Sequence, residues 1–244
     1  MSNTLIVFKR ELRSYFTTPV AYVFLVVFLI LTGVFTWYMG GMYDRNQADL
    51  QAFFGYHPWL YLALIPAISM RMWSEERRGG TIELLLTLPI TMWQAVAGKF
   101  LAAWAFCGIA LLLTTTNWIS VAYLGDPDHG VIMAGYLGSF LMAGGFLAIG
   151  SFISALTKNQ VIAFVITVMV SMGMILAGFP MVLDIFSSWA PDFFVDTIRS
   201  FSFLTHFDSI TRGVIEARDL LFFVTLILFF LFANAVAVDL KKAK

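Results

Sequence analysis

Residues able to do covalent or metal chemistry are few in this chain and do not converge. His57, His129 and His206 are read as scattered over three separate loops. Scattered in this way they read as ordinary outer-side histidines, because a metal site needs three or four ligands brought together. The single Cys107 lies inside an apolar block, which excludes an intramolecular disulfide and makes the thiol a small core residue. There is no HExxH, no GxSxG and no Cys/His pair within one block, so metallohydrolase and serine-hydrolase chemistry have no carriers. A phosphate loop is missing too. Gly98 and Lys99 are followed by Phe100, where Ser or Thr is required, and Trp93 stands where the first glycine belongs. No catalytic residue, no metal and no cofactor is expected in this chain.

The elements that must hold these residues explain their scarcity. Of 244 residues, 60% are hydrophobic and 12% charged, against about 25% charged in a soluble domain. The apolar residues come in long blocks without alternation, which excludes a β-barrel and predicts an all-α polytopic membrane protein. Helices of about 20 apolar residues cross a hydrocarbon layer of about 30 Å. Six such blocks run Val20 to Met39, Phe54 to Met70, Phe100 to Tyr123, Val131 to Leu156, Val161 to Leu183 and Leu220 to Val238. None of them holds an ionisable residue well inside, so a proton relay or carboxylate ion site has no candidate, and an ion-coupled carrier is disfavoured. Zero net charge gives no general attraction to nucleic acid.

The flanks set the orientation, because Lys and Arg concentrate on the cytoplasmic side. One set of flanks carries Lys9, Arg10, Arg13, Arg71, Arg77, Arg78, Lys99, Lys158, Lys241, Lys242 and Lys244, and the other only Arg45, Arg199, Arg212 and Arg218. Both termini are therefore expected in the cytoplasm. Residues 1–18 precede the first block. Leu5, Phe8, Leu12, Tyr15 and Phe16 share a helical face opposite Arg10, Arg13 and Ser14, which predicts an amphipathic helix lying in the inner interface. The alternative is a basic tail that only enforces orientation. Thr18 and Pro19 then cap and open the first span, and residues 19–244 form a single domain. In the fourth block Gly138, Gly144, Gly145 and Gly150 allow close helix approach, either within the subunit or at a dimer face.

The inner segment 71–99 is too ordered for a plain connector. Ser74 can cap a turn of Glu75, Glu76, Arg77 and Arg78, and Gly79 with Gly80 breaks it. Thr81 then caps a helix containing Ile82, Glu83, Leu84, Leu85, Leu86 and Leu88, which Pro89 ends. Thr91 and Gln94 fit a capping box for the third span. A stiff leucine helix flanked by charges suits either a groove on a soluble partner or the lipid interface.

The stretch SEERRGGTIELLLTLPIT followed by GKF, the six-span plan with its basic amphipathic start, and FLTHFDSITRGVIEARDL before the last span resemble the membrane subunits of type-2 ABC transporters. The branch of gliding-motility and nitrous-oxide-reductase maturation permeases is the most similar. That resemblance implies a permease subunit of a prokaryotic plasma membrane, or of the inner membrane in a Gram-negative cell. It would pair with a second permease, identical or not, and with two ATPase subunits that bind ATP and Mg. Thr81 to Leu88 would be the coupling helix, bordered by Glu75, Glu76, Arg77 and Arg78. The outer segment 184–219 would form re-entrant helices, with His206, Arg212, Arg218 and Asp219 either gating the outer mouth or holding the loop together. An extracytoplasmic accessory protein is a further possible partner. The alternative function is a non-transporting membrane anchor that relays ATPase cycles to an extracytoplasmic machine.

Overall fold

A computed structural model describes residues 3–42, 44–45, 47–81, 89–187 and 190–240. The described residues are helical and contain no strand. In chain order the helices are α1 (Asn3–Thr17), α2 (Pro19–Gly33), α3 (Gln51–Ser69), α4 (Arg71–Gly79), α5 (Met92–Leu113), α6 (Thr115–Leu124), α7 (His129–Leu156), α8 (Gln160–Leu176), α9 (Pro180–Ser187), α10 (Asp192–Ser200), α11 (Phe203–Thr211) and α12 (Ala217–Leu240). The end of α2 continues through a π-helical stretch, Val34–Met39.

Local chemistry places most helix starts. Asp128 accepts hydrogen bonds from the Gly130 and Val131 amides at 2.9 and 3.2 Å, Asn159 caps α8 and Ser202 caps α11 in the same way. Each cap satisfies amides that have no partner inside the helix. Pro19 opens α2 as expected, but Thr18 forms no cap bond; its hydroxyl instead donates to the Tyr15 carbonyl at 3.0 Å.

Four described stretches are long and apolar enough to cross a membrane: Ala21–Met39, Met92–Leu124, His129–Leu156 and Ala217–Leu240. The fifth apolar block does not run unbroken to Leu183, because α8 stops at Leu176 and Pro180 starts a new helix. The second block forms α3, whose 19 residues include Pro58, Pro66 and His57. More than half of its side chains are buried against other helices, so it does not need a wholly apolar surface.

Helix α7 is the central element. It packs against α3, α5, α8, α11 and α12, and its glycines make room for them. A β-carbon at Gly145 would lie 2.9 Å from the Phe203 ring of α11, and one at Gly144 would lie 2.9 Å from Trp104 of α5 and Ile227 of α12. The glycine stripe therefore serves packing inside the subunit. With Met142, Phe146, Leu147 and Ile149 fully buried around it, the centre of the bundle is filled.

Candidate functional site

Helix α4 carries the first half of segment 71–99, and it is bonded to the C-terminal end of α7. Ser154 accepts hydrogen bonds from the Trp73 and Ser74 amides, both at 3.1 Å, and donates to the Met70 carbonyl at 2.8 Å. Ser151 accepts from Trp73 Nε1 at 3.3 Å and from Asn234 Nδ2 at 2.6 Å. Ser74 is thus inside the helix and buried rather than a cap, and its hydroxyl donates to the Met70 carbonyl. The start of α4 needs no such cap, since only Met70 separates it from α3.

The four charges of this segment separate into two pairs. Glu75 and Arg78 are exposed. Glu76 and Arg77 turn inward: Glu76 meets Lys99 Nζ at 2.8 Å, and Arg77 donates to the Ala155 carbonyl at 2.6 Å. Helix α4 ends at Gly80, whose φ of 70° is readily adopted only by glycine. Thr81 is exposed, and its hydroxyl lies 3.4 Å from the Glu76 carbonyl. Ile82, Glu83, Leu84, Leu85, Leu86 and Leu88 lie outside the described residues. Beyond them the expected capping box is present, with Gln94 Oε1 accepting from the Thr91 amide at 3.1 Å and Thr91 Oγ1 accepting from the Gln94 amide at 3.4 Å.

Lys99 is the residue the sequence pattern missed. Its ammonium is buried, lies 3.3 Å from Glu11 of α1 as well as 2.8 Å from Glu76, and faces the Trp73 ring at 5.4 Å. The available signal was a lone cation at the edge of an apolar block, which the charge count used only for orientation. Helix α1 also differs from expectation. Of the expected face, Leu12, Tyr15 and Phe16 do pack against the core, whereas Leu5 is exposed and the contacts with α5 also take in Asn3, Val7 and Glu11. Tyr15 stacks on Phe106 of α5 at 5.2 Å.

Burial pushes the Glu11 carboxyl up, but Lys99 and Arg10 more than offset this and hold it below its ordinary 4.5. A depressed acid stabilises above its unfolded value and loses that contribution as pH falls through its folded value. A nitroxide at exposed Ser14 should therefore stay immobilised through neutral pH and loosen only below 4.5. Release beginning above that value contradicts the ion pair.

In segment 184–219 the structure brings together two of the four expected cap residues. His206 Nδ1 lies 2.6 Å from Asp219 Oδ1, its Nε2 donates to the Ser200 carbonyl at 3.0 Å, and its ring stacks on Phe222 at 4.1 Å. Both His206 and Asp219 are buried, and together they join α10, α11 and α12. Arg212 and Arg218 are exposed. Phe203, Phe207 and Ile210 anchor α11, while Phe193 of α10 is 83% exposed. His57 is not a loop residue. It is fully buried on α3 among Phe28, Phe53 and Tyr61, bonded to Ser139 at 3.1 Å. Together with Lys99, it means that the helix bundle does bury ionisable side chains. No group of three or more His, Cys, Asp or Glu able to hold a metal occurs among the described residues.

The family whose sequence model matches is described as ABC-2 family transporter protein, and the match runs over residues 9–174, more than half of the chain. The chain belongs to the ABC-2 transporter family. No curated protein matches it. ABC-2 permeases are non-catalytic membrane components whose ATPase activity lies in partner subunits, and the four apolar helices agree with a multi-pass membrane protein. The matched region takes in α4, Lys99 and the whole of segment 71–99. It stops before α9, α10 and α11.

Proposed function

We propose that this ABC-2 family member is a permease subunit that works as a dimer, identical or mixed, with two copies of a separate ATPase that binds ATP and Mg. Both termini and the segment 71–99 lie on the cytoplasmic side of a prokaryotic plasma membrane, and six spans cross it, α3 and α8 being the two shorter ones. Thr81 to Leu88 is the coupling element, and exposed Glu75 and Arg78 border its contact. Glu76 and Arg77 belong to its mounting, since both are bonded within the chain. ATP-driven closure of the ATPases moves this mounting, and the spans follow. The route for the transported molecule lies between two permeases, because α7 fills the centre of a single one. The outer helices, held by His206 and Asp219, form a cap over it, which an extracytoplasmic accessory protein can meet. Within the family, the gliding-motility and nitrous-oxide-reductase maturation branch is the one its motifs resemble.

The observation that carries this reading is the family match across the inner segment, joined to the hydrogen-bonded seat of α4 on α7. A two-state coupling needs an element that contacts the ATPase differently in its two states, and a rigidly mounted segment passes such a difference to the spans. Glu83→Lys should leave membrane insertion intact and reduce the stimulation of the co-expressed ATPase. Unchanged stimulation in proteoliposomes would count against the coupling role.

A further inference from the structure

Both ring nitrogens of His206 face oxygens that accept hydrogen bonds. Nε2 stands 3.0 Å from the Ser200 carbonyl of α10, and Nδ1 stands 2.6 Å from Oδ1 of Asp219 in the first turn of α12. A carbonyl oxygen has no proton to give, so Nε2 carries one. A neutral imidazole then has only a lone pair at Nδ1, and a lone pair cannot bond to an ionised carboxylate. The short contact therefore requires one more proton between Nδ1 and Oδ1, whichever of the two atoms holds it. Without that proton the same atoms set a lone pair against a negative charge.

The surroundings keep the proton in place. Both residues are buried, and among the described residues Asp219 Oδ2 has no hydrogen-bond partner. A buried carboxylate with one oxygen unsolvated needs a cation or a proton beside it. The Phe222 ring, 4.1 Å away and stacked on the imidazole, suits the charged form as well, because an aromatic face attracts a cation. Helix α11 packs against α3, α7, α8, α10 and α12. Among the described residues of these helices, only Asp219 of the titratable groups is bonded to the ring. His57 of α3 and His129 of α7 are held elsewhere, by Ser139 and by Trp118, and the tyrosines of both helices pack on other rings. Helix α8 has no ionisable residue, and Asp192, Asp196 and Arg199 of α10 are exposed. So are Asp208 of α11 and Arg218 of α12, while Asp239 lies at the far end of α12.

We propose that His206 and Asp219 form a proton-locked clasp on the outer cap, closed while the pair holds its shared proton and released when that proton leaves. Release turns the bridged pair into a neutral imidazole, an ionised carboxylate and one free proton, and α10 then parts from α11 and α12. The direction follows from the proton count. A solvated histidine binds its proton only below about pH 6.5. Above that value clasping must take up a proton, so the clasp weakens as pH rises; below it, both forms carry the proton and the clasp has its full strength. The medium that bathes the cap thus sets how firmly it is held. This rests on the reading of segment 184–219 as an outer cap, but the clasp itself can be tested without it.

The test uses the full chain in detergent micelles, where both faces meet the same buffer, with nitroxides at Phe193 of α10 and Leu221 of α12. Both positions are exposed and uncharged, so the labels leave the titration intact. Between about pH 6 and about pH 9 the parent chain should pass from one short distance to a mixture with a longer one, the ratio of long to short growing by up to tenfold per pH unit and reversing on acidification. An unchanged distribution over this range overturns the clasp. In Asp219→Asn the amide can donate to Nδ1 of a neutral imidazole, so the short distance should persist throughout; a change equal to the parent's places the titration elsewhere and overturns the proposal. His206→Phe keeps a ring against Phe222 without either bond and should show the longer distance at every pH; a short distance retained throughout overturns it. The cap reading is checked separately with Phe193→Cys and a membrane-impermeant thiol reagent, since the natural Cys107 is buried. Modification in sealed cells supports the outer placement. Modification only after lysis ends the cap reading and leaves the clasp to stand or fall on the distances.

Discussion

Lys99→Met is expected to destabilise the packing of α1, α4 and α5 by about 3–5 kcal/mol, the usual result of removing one partner from a buried ion pair. The ammonium is shared by Glu11 and Glu76, whose side chains are 19% and 20% exposed. Among the described residues Glu76 Oε2 has no hydrogen-bond partner, so loss of Lys99 leaves two carboxylates largely shielded from water, with Arg10 bonded to Glu11 alone. The methylene stem and its packing on Trp73 are kept by methionine, which isolates the charge as the cause. Unfolding followed by helical signal in detergent should show the loss. Adding Glu11→Gln and Glu76→Gln should recover most of it, because neutral amides do not demand a counterion. A triple variant as unstable as Lys99→Met would contradict unpaired carboxylates as the cause of the loss.

Gly150→Val is expected to be comparably damaging, for a steric reason. Gly150 lies where α7 crosses α3 and α8. A β-carbon there would stand 2.0 Å from Ser69 Oγ, 2.6 Å from Ser69 Cβ and 3.1 Å from Thr167 Cγ2. The serine hydroxyl can rotate away, but its β-carbon can move only with the α3 backbone. Overpacking a full core costs about 1–3 kcal/mol and occasionally more, and three helices must part here, so the upper end applies. Gly173→Val on α8 is the matched control, since a β-carbon there meets nothing within 4 Å. Thermal unfolding should separate the two by several degrees. Equal midpoints would contradict the close crossing.

Local features were legible in the sequence. The Thr91 and Gln94 capping box, the break at Gly79 and Gly80, and the Pro19 start depend on residues within a few positions of one another, and all three are present. Helix class followed from block length. Features that depend on distant partners were not legible. Asn3 meets Gln94 and Pro89, Glu11 meets Lys99, and Trp73 meets Ser151 and Ser154, each across more than seventy positions. A polar residue with such a partner reads locally as a solvated one. That is why Glu76 and Arg77 were grouped with Glu75 and Arg78, although burial divides them. The same effect hid the polar part of the α1 face: Leu12, Tyr15 and Phe16 pack as the apolar pattern indicates, while Asn3 and Glu11 join them through partners on α5. In α3, Pro58, Pro66 and His57 lowered the apolar signal of a helix that packing holds in place. In segment 184–219 the family resemblance marked His206 and Asp219 together with Arg212 and Arg218, but only the fold shows that the first two touch.

The central claim is that the leucine-rich inner segment takes up work from a separate ATP-hydrolysing subunit. A photo-crosslinking residue in place of Leu85, activated in native membranes from cells that express the whole system, tests it most directly. The account predicts a protein adduct containing a nucleotide-binding subunit, with its yield changed by ATP. Adducts to phospholipid alone, with and without ATP, would contradict it.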